Sequence, residues 1–469
     1  MTSQLTPEAP SDRMGAPSSP APTPTELPPA PQAAGPRSLA TFEAEAEFLA
    51  PGTQSVALFS QLCIDHGEGA LLVDVDRKRY IDLLAGVGVA SLGYGHPKFV
   101  NALQRQVARA HVGSFTTEHR AALVKLIADI APGDLTRTQL YSSGAEAVES
   151  ALRLAKAFTG KKEVVGFWGG FHGKTAGVLP LLSGSFKHEL GPLMPGMYST
   201  PYPVPSRWPF GDVSEETCLE QCLAFLKRKI ELETTNDVAA IIVEPIQGTA
   251  GNIVPPAGFL RGLRGFADSI GALLICDEML TGFGRTGKMF ATEWEEGVVP
   301  DIMTIGKGFG GGFPITGIVI RESVAHAKPW ANPSGSSSSY GGNPLAAAAA
   351  RVTIETILEE HLVEHSRALG ERMQTEMRSW EAELPIVRDV RGRGLMIGFD
   401  LMRPGTRTFL DKRLTRWIFD TLLARGVLAM IYNPEVRINP PLVITEAQAM
   451  EALATMKGVL REAMEHVTA

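Results

Sequence analysis

One lysine in the sequence stands at a position better suited to reaction than to solvation. Lys307 follows a mainly apolar run, residues 302–305, and precedes glycines at 308 and 310–312. The apolar run is typical of a buried strand, which would carry the amine to the edge of a sheet. Burial lowers the pKa of a lysine and favours the neutral amine, which is a nucleophile. The pattern therefore predicts a reactive lysine at position 307.

Two further apolar runs each lead into a carboxylate. Residues 238–243 precede Glu244, and residues 272–276 precede Asp277. Burying a carboxylate is costly unless a cation or a hydrogen-bond donor meets it. The stretch from Asp277 to Lys307 is long enough for one crossover between parallel strands. We therefore expect the carboxylate and the amine to face the same ligand, with a structural salt bridge as the alternative role for Asp277.

A Ser-Gly turn, Ser143-Gly144, stands between a strand-like run at 138–141 and a helical pattern. The first N–H groups of a helix have no partners within the helix, and the helix dipole is positive there. Glycine also lets the backbone approach a phosphate closely. The turn therefore predicts an anion cradle, and a simple serine helix cap is the alternative.

An aromatic ring and an imidazole follow the apolar run that ends at Phe167. Phe171 and His172 lie between glycines in the stretch 169–173. Open α/β sheets bind ligands at the C-terminal ends of their strands, and Phe171 could stack there on a planar ring. The alternative is a core phenylalanine beside a solvent-facing histidine.

These four features together match what pyridoxal phosphate requires. A lysine forms a Schiff base with it, an aspartate keeps its ring nitrogen protonated, and a helix N-terminus holds its phosphate. Each feature is weak alone. Their joint occurrence predicts a pyridoxal-phosphate site with Lys307 as the Schiff-base residue.

Composition excludes several other classes of protein. The 469 residues are 44% hydrophobic and 20% charged, and the formal net charge is −7, without the basic stripe typical of nucleic-acid binding. No apolar stretch approaches the roughly 20 residues that span a bilayer. The cysteines have no metal-ligand spacing, so we expect no metal site, and reduced thiols in a cytoplasm are the favoured interpretation. They are Cys63, Cys218, Cys222 and Cys276.

The elements that must position the reactive residues follow an alternating order. Helical patterns alternate with compact apolar strands between about 96 and 345, which is typical of a mainly parallel sheet. Two short strands around a turn are expected at 70–76 and 79–83. The patterns predict a disordered Pro/Ala/Ser-rich arm at 1–38, part of a small domain at 39–95, a large cofactor-binding domain at 96–345, and the rest of the small domain at 346–469.

The chain resembles the class III (ω-amino acid type) aminotransferases of fold type I from about residue 55 to its C-terminus. The resemblance implies a mainly parallel, seven-stranded sheet flanked by helices, and a small α+β domain built from both chain ends. It also implies transfer of an amino group from an amino acid or ω-amino compound to a 2-oxo acid. The motifs that carry it are Ser143 to Ala147, Phe171-His172-Gly173, Glu244 to Gly248, Asp277-Glu278 with Thr281 to Gly287, Lys307 before its glycines, and Gly341 to Pro344.

By the same resemblance, the motif residues have individual roles at the cofactor. Gly144 and Ala145 supply amides to the phosphate, Phe171 stacks on the pyridine ring, and Asp277 pairs with the ring nitrogen. Lys307 carries the Schiff base and moves the proton between the substrate and the cofactor. The other positions that the resemblance places at the cofactor are Ser143, His172, Glu244 and Leu280.

The resemblance also implies a homodimer, or a higher oligomer built from it, with the site at the interface. In the family, a threonine from the neighbouring subunit binds the phosphate, and Ser339 keeps the hydroxyl at that position. Arg437 matches the arginine that clamps the substrate carboxylate, for which a planar guanidinium is suited. Val87 lies in the segment that lines the substrate entrance.

Two positions depart from the family pattern. Many members have Glu where this chain has Thr249, and that Glu pairs with the arginine so that one pocket accepts an ω-amino donor and a dicarboxylate acceptor. Thr249 cannot form this ion pair. Leu280 stands where a Gln commonly contacts the phenolic oxygen of the cofactor. Loss of that donor would alter the protonation of the Schiff base and favour a side branch of the same chemistry.

Two alternatives to transamination stay open at this point. A racemase or epimerase would use the same cofactor, remove the Cα proton and return it to the other face, which requires a second acid opposite Lys307. A binding protein that retains the fold without catalysis is the other alternative. The intact Lys307 and Asp277 count against it.

Overall fold

The computed structural model describes residues 27–113 and 115–467. The predicted disordered arm lies mostly outside these residues, because its first 26 positions are not described. No helix within the described ranges has the length and apolar content that crossing a bilayer requires.

The first helix, α1 (Pro36–Ala46), begins within the last three positions of the arm predicted at 1–38. The N–H groups of Arg37 and Ser38 donate to the Asp76 carboxylate at 3.0 and 2.8 Å. This carboxylate satisfies donors that the helix itself leaves unpaired. The cap comes from a distant loop, so the local sequence does not reveal it.

Helices account for much of the described chain, and most obey the expected apolar spacing. The short segment α3 is an exception, since all four of its residues have φ between 50° and 78°. The α-helical segments of the described residues are α1, α2 (Ser55–Ser60), α3 (Ala85–Gly88), α4 (Pro97–Val107), α5 (Glu118–Ile130), α6 (Gly144–Thr159), α7 (Glu215–Glu233), α8 (Phe259–Ile270), α9 (Glu322–Ala325), α10 (Pro344–Glu359), α11 (Leu362–Glu383), α12 (Lys412–Ala424) and α13 (Glu446–Met464).

Three sheets are formed by the strands of the described residues. The strands are β1 (Ile64–Glu68), β2 (Leu71–Asp74), β3 (Arg79–Asp82), β4 (Leu135–Tyr141), β5 (Glu163–Phe167), β6 (Met197–Thr200), β7 (Val238–Val243), β8 (Leu273–Asp277), β9 (Ile302–Ile305), β10 (Thr316–Arg321), β11 (Val387–Arg393), β12 (Met396–Leu401), β13 (Val427–Leu428) and β14 (Glu435–Ile438).

The central sheet has seven strands in the order β4-β10-β9-β8-β7-β5-β6. Strands β6, β5, β7, β8 and β9 pair in parallel, whereas β10 is antiparallel to both of its neighbours, β9 and β4. The predicted mainly parallel α/β sheet is therefore confirmed. Strand β6 was not predicted, because it is an edge strand with mostly half-buried side chains and has no continuous apolar run.

Helices cover both faces of this sheet, which explains why its central strands are mainly apolar. On one face α6 packs through residues such as Val148 and Leu152. On the other face α7 and α8 pack through Leu226, Phe259 and Leu263. Every residue of β7, β8 and β9 is buried. Because these strands are parallel, their C-terminal ends meet at one edge of the sheet.

Two smaller sheets bring distant parts of the chain together. Strands β1, β2 and β3 form one sheet that β13 joins in parallel to β3, so residues 427–428 pair with residues 81–82. Strands β11, β12 and β14 form the other sheet. The boundaries near residues 95 and 345 that the sequence suggests for the domains stay predictions.

We expect Gly306→Ala to lower the free energy of unfolding by about 1–3 kcal/mol, the usual cost of overpacking. A Cβ there would overlap Met279 Sδ and lie 2.9 Å from Thr316 Cγ2. Gly265→Ala is the control, because a Cβ at that position in α8 meets no atom within 4 Å. Alanine should stabilise the helix by about 0.5–1 kcal/mol. Urea unfolding measures the stability of both variants. Equal changes in their free energy of unfolding would contradict the close packing at Gly306.

Candidate active site

A cavity of about 230 Å³ opens at the C-terminal edge of the central sheet. Six residues that the sequence predicts for the site line it: Gly144, Ala145, Phe171, His172, Asp277 and Lys307. The structure adds three lining residues that were not predicted, Gly173, Met279 and Thr316.

The start of helix α6 forms the anion cradle of this cavity. Ser143 has extended backbone angles and caps the helix, its Oγ accepting the N–H of Glu146 at 3.3 Å. The helix begins at Gly144, so the N–H groups of Gly144 and Ala145 have no acceptor within it. Thr316 Oγ1 donates to the Ser143 carbonyl at 2.9 Å and fixes the turn. The geometry suits a phosphate group.

Gly173 lets a second loop approach this cradle. Its φ is +115°, a conformation that favours glycine. A Cβ on Gly173 would lie 2.5 Å from Ala145 Cβ. The glycine therefore allows the loop that carries Phe171 and His172 to close over the start of α6.

Asp277, at the end of β8, is buried in a set of hydrogen bonds. Its Oδ2 lies 2.6 Å from His172 Nδ1, and its Oδ1 accepts Thr304 Oγ1 at 2.8 Å and the Met279 N–H at 3.1 Å. Burial is the largest single influence and would raise the pKa of Asp277. The hydrogen bond and charge of His172, the hydrogen bond from Thr304 and the charge of Lys307 together outweigh burial, so the pKa is lowered. The site therefore holds an ionised carboxylate.

His172 undergoes the opposite shift for the same reason. Burial is the largest single influence and would lower the pKa of the His172 imidazole. The hydrogen bond to Asp277 and the charges of Asp277 and Glu244 together outweigh it, so the pKa is raised. We infer that the protonated ring donates to the carboxylate. Sequence reasoning placed His172 at the cofactor, and the structure places it in direct contact with Asp277.

Lys307 begins a short 3-10 turn directly after β9. Its φ is +44°, the left-handed region that non-glycine residues rarely adopt and that is enriched at functional sites. Burial lowers the pKa of the Lys307 amine, while the nearby charges of Glu244 and Asp277 oppose that shift. Among the described residues it forms no salt bridge. The amine is therefore available to a ligand in the cavity.

Glu244 organises two loops around the cavity. The carboxylate accepts the N–H of Phe171 at 2.8 Å and the N–H of Gly248 at 3.0 Å. Burial raises the pKa of Glu244. The ring of Phe171 also meets Phe186 edge to face, with 5.7 Å between centroids. The predicted stacking residue thus has a fixed position at the cavity wall.

Arg437, on β14, stands near the cavity but does not line it. Burial lowers its pKa, and its charge in turn helps to lower the pKa of Lys307. Within the described part of the chain, the guanidinium has no carboxylate partner in a salt bridge. A partly buried arginine without such a partner suits an anionic ligand.

Three other predicted residues lie away from the cavity wall. Thr249 is exposed in a turn, and Ser339 is exposed in the loop before α10. Val87 is half-buried in α3 with a φ of +68°, which is strained for a β-branched residue. The structure of a single chain therefore does not bring these residues into the cavity.

Leu280 fills a narrow space between two glycines. A Cβ on Gly88 would overlap Leu280 Cδ1, and a Cβ on Gly248 would lie 2.5 Å from Leu280 Cδ2. The leucine is buried in an apolar cluster with Ile246 and Met396. It acts as a wedge between α3 and the loop after Glu244.

Sequence reasoning missed Thr304 and Thr316. Thr304 had a signal, since it is the polar residue within an otherwise apolar strand. Thr316 had none, because only the antiparallel direction of β10 brings the start of that strand to the C-terminal edge of its neighbours.

The lowered pKa of Lys307 predicts how fast the apoprotein binds pyridoxal phosphate at different pH values. The neutral amine predominates above its pKa, so the association rate should rise with pH and level off at a midpoint below the ordinary lysine value of 10.5. Stopped-flow absorbance measures this rate. A midpoint at or above 10.5 would contradict the burial of the amine.

Replacing Leu280 with the glutamine that the resemblance implies for this position should destabilise this chain. We expect Leu280→Gln to lower the free energy of unfolding by about 1–3 kcal/mol, because the amide would be buried among apolar side chains. Leu280→Met conserves volume and should cost less than about 1.5 kcal/mol. If chemical denaturation gives the same free energy of unfolding for the two variants, Leu280 is not tightly packed among apolar side chains.

Comparison with known proteins supports the assignment that the geometry suggests. The family model of the class-III aminotransferases matches residues 53–460. Acetylornithine aminotransferase of Methanopyrus kandleri is 39% identical over 398 residues, which are 84% of this chain and 93% of that protein. Alanine/serine racemase of Pyrococcus horikoshii is 33% identical over 444 residues, which are 92% of each chain.

Solved structures agree with these relatives. An (S)-enantioselective omega-transaminase from Thermomicrobium roseum superposes with a TM-score of 0.83 at 28% identity, covering 92% of this chain and 99% of that one. An omega transaminase from Pseudomonas jessenii in complex with PMP gives a TM-score of 0.85 at 25% identity, covering 91% of this chain and 98% of that one. The chain therefore belongs to the class-III aminotransferases, a family of pyridoxal-phosphate-dependent enzymes of fold type I.

Proposed function

We propose that Lys307 is the residue through which this aminotransferase binds its cofactor and moves an amino group from an amino acid or ω-amino compound to a 2-oxo acid. The observation that carries the proposal is the convergence of Lys307, the ionised Asp277 and the start of α6 on one cavity. Bound pyridoxal phosphate supplies an aldehyde carbon that reacts with amines and a ring that draws electrons from the substrate Cα–H bond.

Each residue of the cavity has one task in this proposal. Gly144 and Ala145 donate backbone N–H groups to the phosphate, and Phe171 contacts the face of the ring. Asp277, kept ionised by His172, holds a proton on the ring nitrogen. Lys307 would hold the cofactor covalently through its amine, and the same amine, when free, would take and return the proton at the substrate Cα.

Arg437 is the proposed partner of the substrate carboxylate. Its guanidinium can donate two hydrogen bonds side by side to the oxygens of a carboxylate, and Thr249 cannot compete for it as a glutamate would. We infer that the arginine stays available to a carboxylate in both half-reactions. Val87, which the resemblance places at the substrate entrance, would limit the width of the side chain that enters.

A homodimer with a shared site is part of the proposal. Ser339 is exposed on this chain, and the neighbouring Tyr340 is 65% exposed. A partner subunit would cover both residues, and the Ser339 hydroxyl would reach the partner's phosphate. We also propose a cytoplasmic location, which the free state of all four cysteines supports.

Racemisation is the second candidate function. The alanine/serine racemase of Pyrococcus horikoshii matches 92% of this chain, and Leu280 removes a donor that many aminotransferases have. A racemase would need a second acid on the face of Cα opposite Lys307. Both functions use the same cavity, so only the fate of the proton separates them.

Lys307→Ala tests the core of the proposal. We expect the purified variant to lose the visible absorbance of the bound cofactor and to lose activity by at least about 10²–10⁴-fold, because it lacks the group that moves the proton. Lys125→Ala, at a lysine that is 74% exposed, is the matched control and should resemble the wild type. Unchanged absorbance and activity in Lys307→Ala would overturn the assignment.

The two candidate functions separate when the holoenzyme meets single amino acids without a 2-oxo acid. Conversion of the cofactor absorbance to that of the pyridoxamine form supports transamination. Loss of optical rotation without that conversion supports racemisation. A panel of donors tested against pyruvate and 2-oxoglutarate then identifies the substrates.

A further inference from the structure

Three buried hydroxyl groups form a closed network beside the central sheet. Tyr141 Oη contacts Ser150 Oγ in a short hydrogen bond and Ser336 Oγ at 2.5 Å, and the two serine hydroxyls lie 2.8 Å apart. All three side chains are buried. Each hydroxyl can donate once around the ring, so the three hydrogen bonds are satisfied together.

Further donors hold this network in place. Trp330 Nε1 donates to Ser150 Oγ at 2.9 Å, and Arg153 donates to the Gly335 carbonyl at 3.1 Å. Gln139 Nε2 donates to the Ser336 carbonyl at 3.2 Å. The network therefore fixes the backbone at residues 335–336 against β4 and α6.

Strand β4 also holds the far end of the loop that leads from Ser336 to α10. A Cβ on Gly341 would overlap the Leu140 carbonyl, so only glycine allows the backbone to approach β4 this closely. Asn343 then caps α10, accepting the Ala346 N–H at 2.9 Å and donating to the Tyr340 carbonyl at 2.8 Å. Residues 337–340 thus project from two anchors, both on β4.

We propose that Tyr141 is a positioning residue for the site of the neighbouring subunit. This inference rests on the proposed function, in which Ser339 binds the phosphate across the interface. Ser339 lies three positions after Ser336, in the exposed segment between the two anchors. The hydroxyl network reduces the freedom of this segment before the subunits meet, so less order must be gained on phosphate binding.

Tyr141 also joins this loop to the cradle of its own chain. It is the last residue of β4, and Ser143 and Gly144 follow it after a single residue, Ser142. One end of β4 therefore sets the start of α6 in one site and the loop that would serve the other. A positioning role through the loop requires that loss of the Tyr141 hydroxyl weakens the partner's site more than the site of its own chain.

Mixed dimers separate the two effects. The first combines a wild-type chain with a chain carrying Lys307→Ala and Tyr141→Phe, so that the one reactive lysine faces the altered loop. The second combines Lys307→Ala on one chain with Tyr141→Phe on the other, so that the lysine faces an intact loop. A dimer with Lys307→Ala alone is the reference, and different affinity tags isolate each pair.

The readout is the dissociation constant of pyridoxal phosphate, followed by the visible absorbance that only the lysine-bearing site gives. We expect about a tenfold weaker affinity in the first dimer, the effect of losing one hydrogen bond of moderate strength. The second dimer should stay closer to the reference. Ser339→Ala in place of Tyr141→Phe should reproduce the first result.

Control variants keep the test decisive. Tyr198→Phe removes a hydroxyl that donates to Glu163 at 3.1 Å on the opposite edge strand, and it should change neither dimer. Ser150→Ala and Ser336→Ala replace Tyr141→Phe if that chain does not fold. Equal affinities in the two mixed dimers, or weaker binding in the second, would overturn the positioning role.

Failure of this inference is distinguishable from failure of the proposed function. If the wild-type dimer binds the cofactor and transfers amino groups, but the two mixed dimers have equal affinities for the cofactor, only the role of Tyr141 is contradicted. If the wild-type protein does not bind the cofactor, the proposed function falls as well.

Discussion

The charge on Asp277 is the constraint around which the site is built. An isolated carboxylate at this depth would take up a proton, because burial strongly disfavours the charged form. His172, Thr304 and the Met279 N–H together satisfy both of its oxygens. The parallel sheet makes this possible, since it brings the loop after β5 and the strands β8 and β9 to one edge. The ionised carboxylate is the group that the cofactor chemistry needs.

The same burial acts on Lys307 with the opposite result. Asp277 keeps its charge because donors surround it, whereas the Lys307 amine has no salt bridge among the described residues and its pKa is lowered. One enclosed cavity thus holds a charged acid beside a readily deprotonated amine. Perturbations of this kind are typical of catalytic sites. The strained φ of Lys307 is consistent with a side chain that the fold forces into the cavity.

Close packing of backbone segments supplies the rest of the site. Gly173 allows one loop to meet the start of α6, and Gly306 allows β9 to end against Met279 and Thr316. Leu280 needs a glycine on each side, at Gly88 and Gly248. A change at Leu280 would therefore affect the segments on both sides, because both pack closely against this side chain. Dense packing of this kind leaves little room for single changes.

Much of the chemistry was determined by the sequence alone. The apolar runs of β7, β8 and β9 predicted buried parallel strands, and the residues after them predicted which groups meet at the sheet edge. Local patterns suffice for this, because strand burial and the common edge of parallel strands follow from residue type and order. The Ser-Gly turn likewise predicted the start of α6.

Only the tertiary structure decided which side chains pair. It placed His172 on Asp277, brought Thr316 to the cradle through the reversed strand β10, and enclosed Leu280 between two glycines. It also closed the hydroxyl network of Tyr141, Ser150 and Ser336, in which Ser336 lies 195 residues from Tyr141 and 186 from Ser150. Such contacts depend on how strands and helices pack in three dimensions, so spacing along the chain does not reveal them.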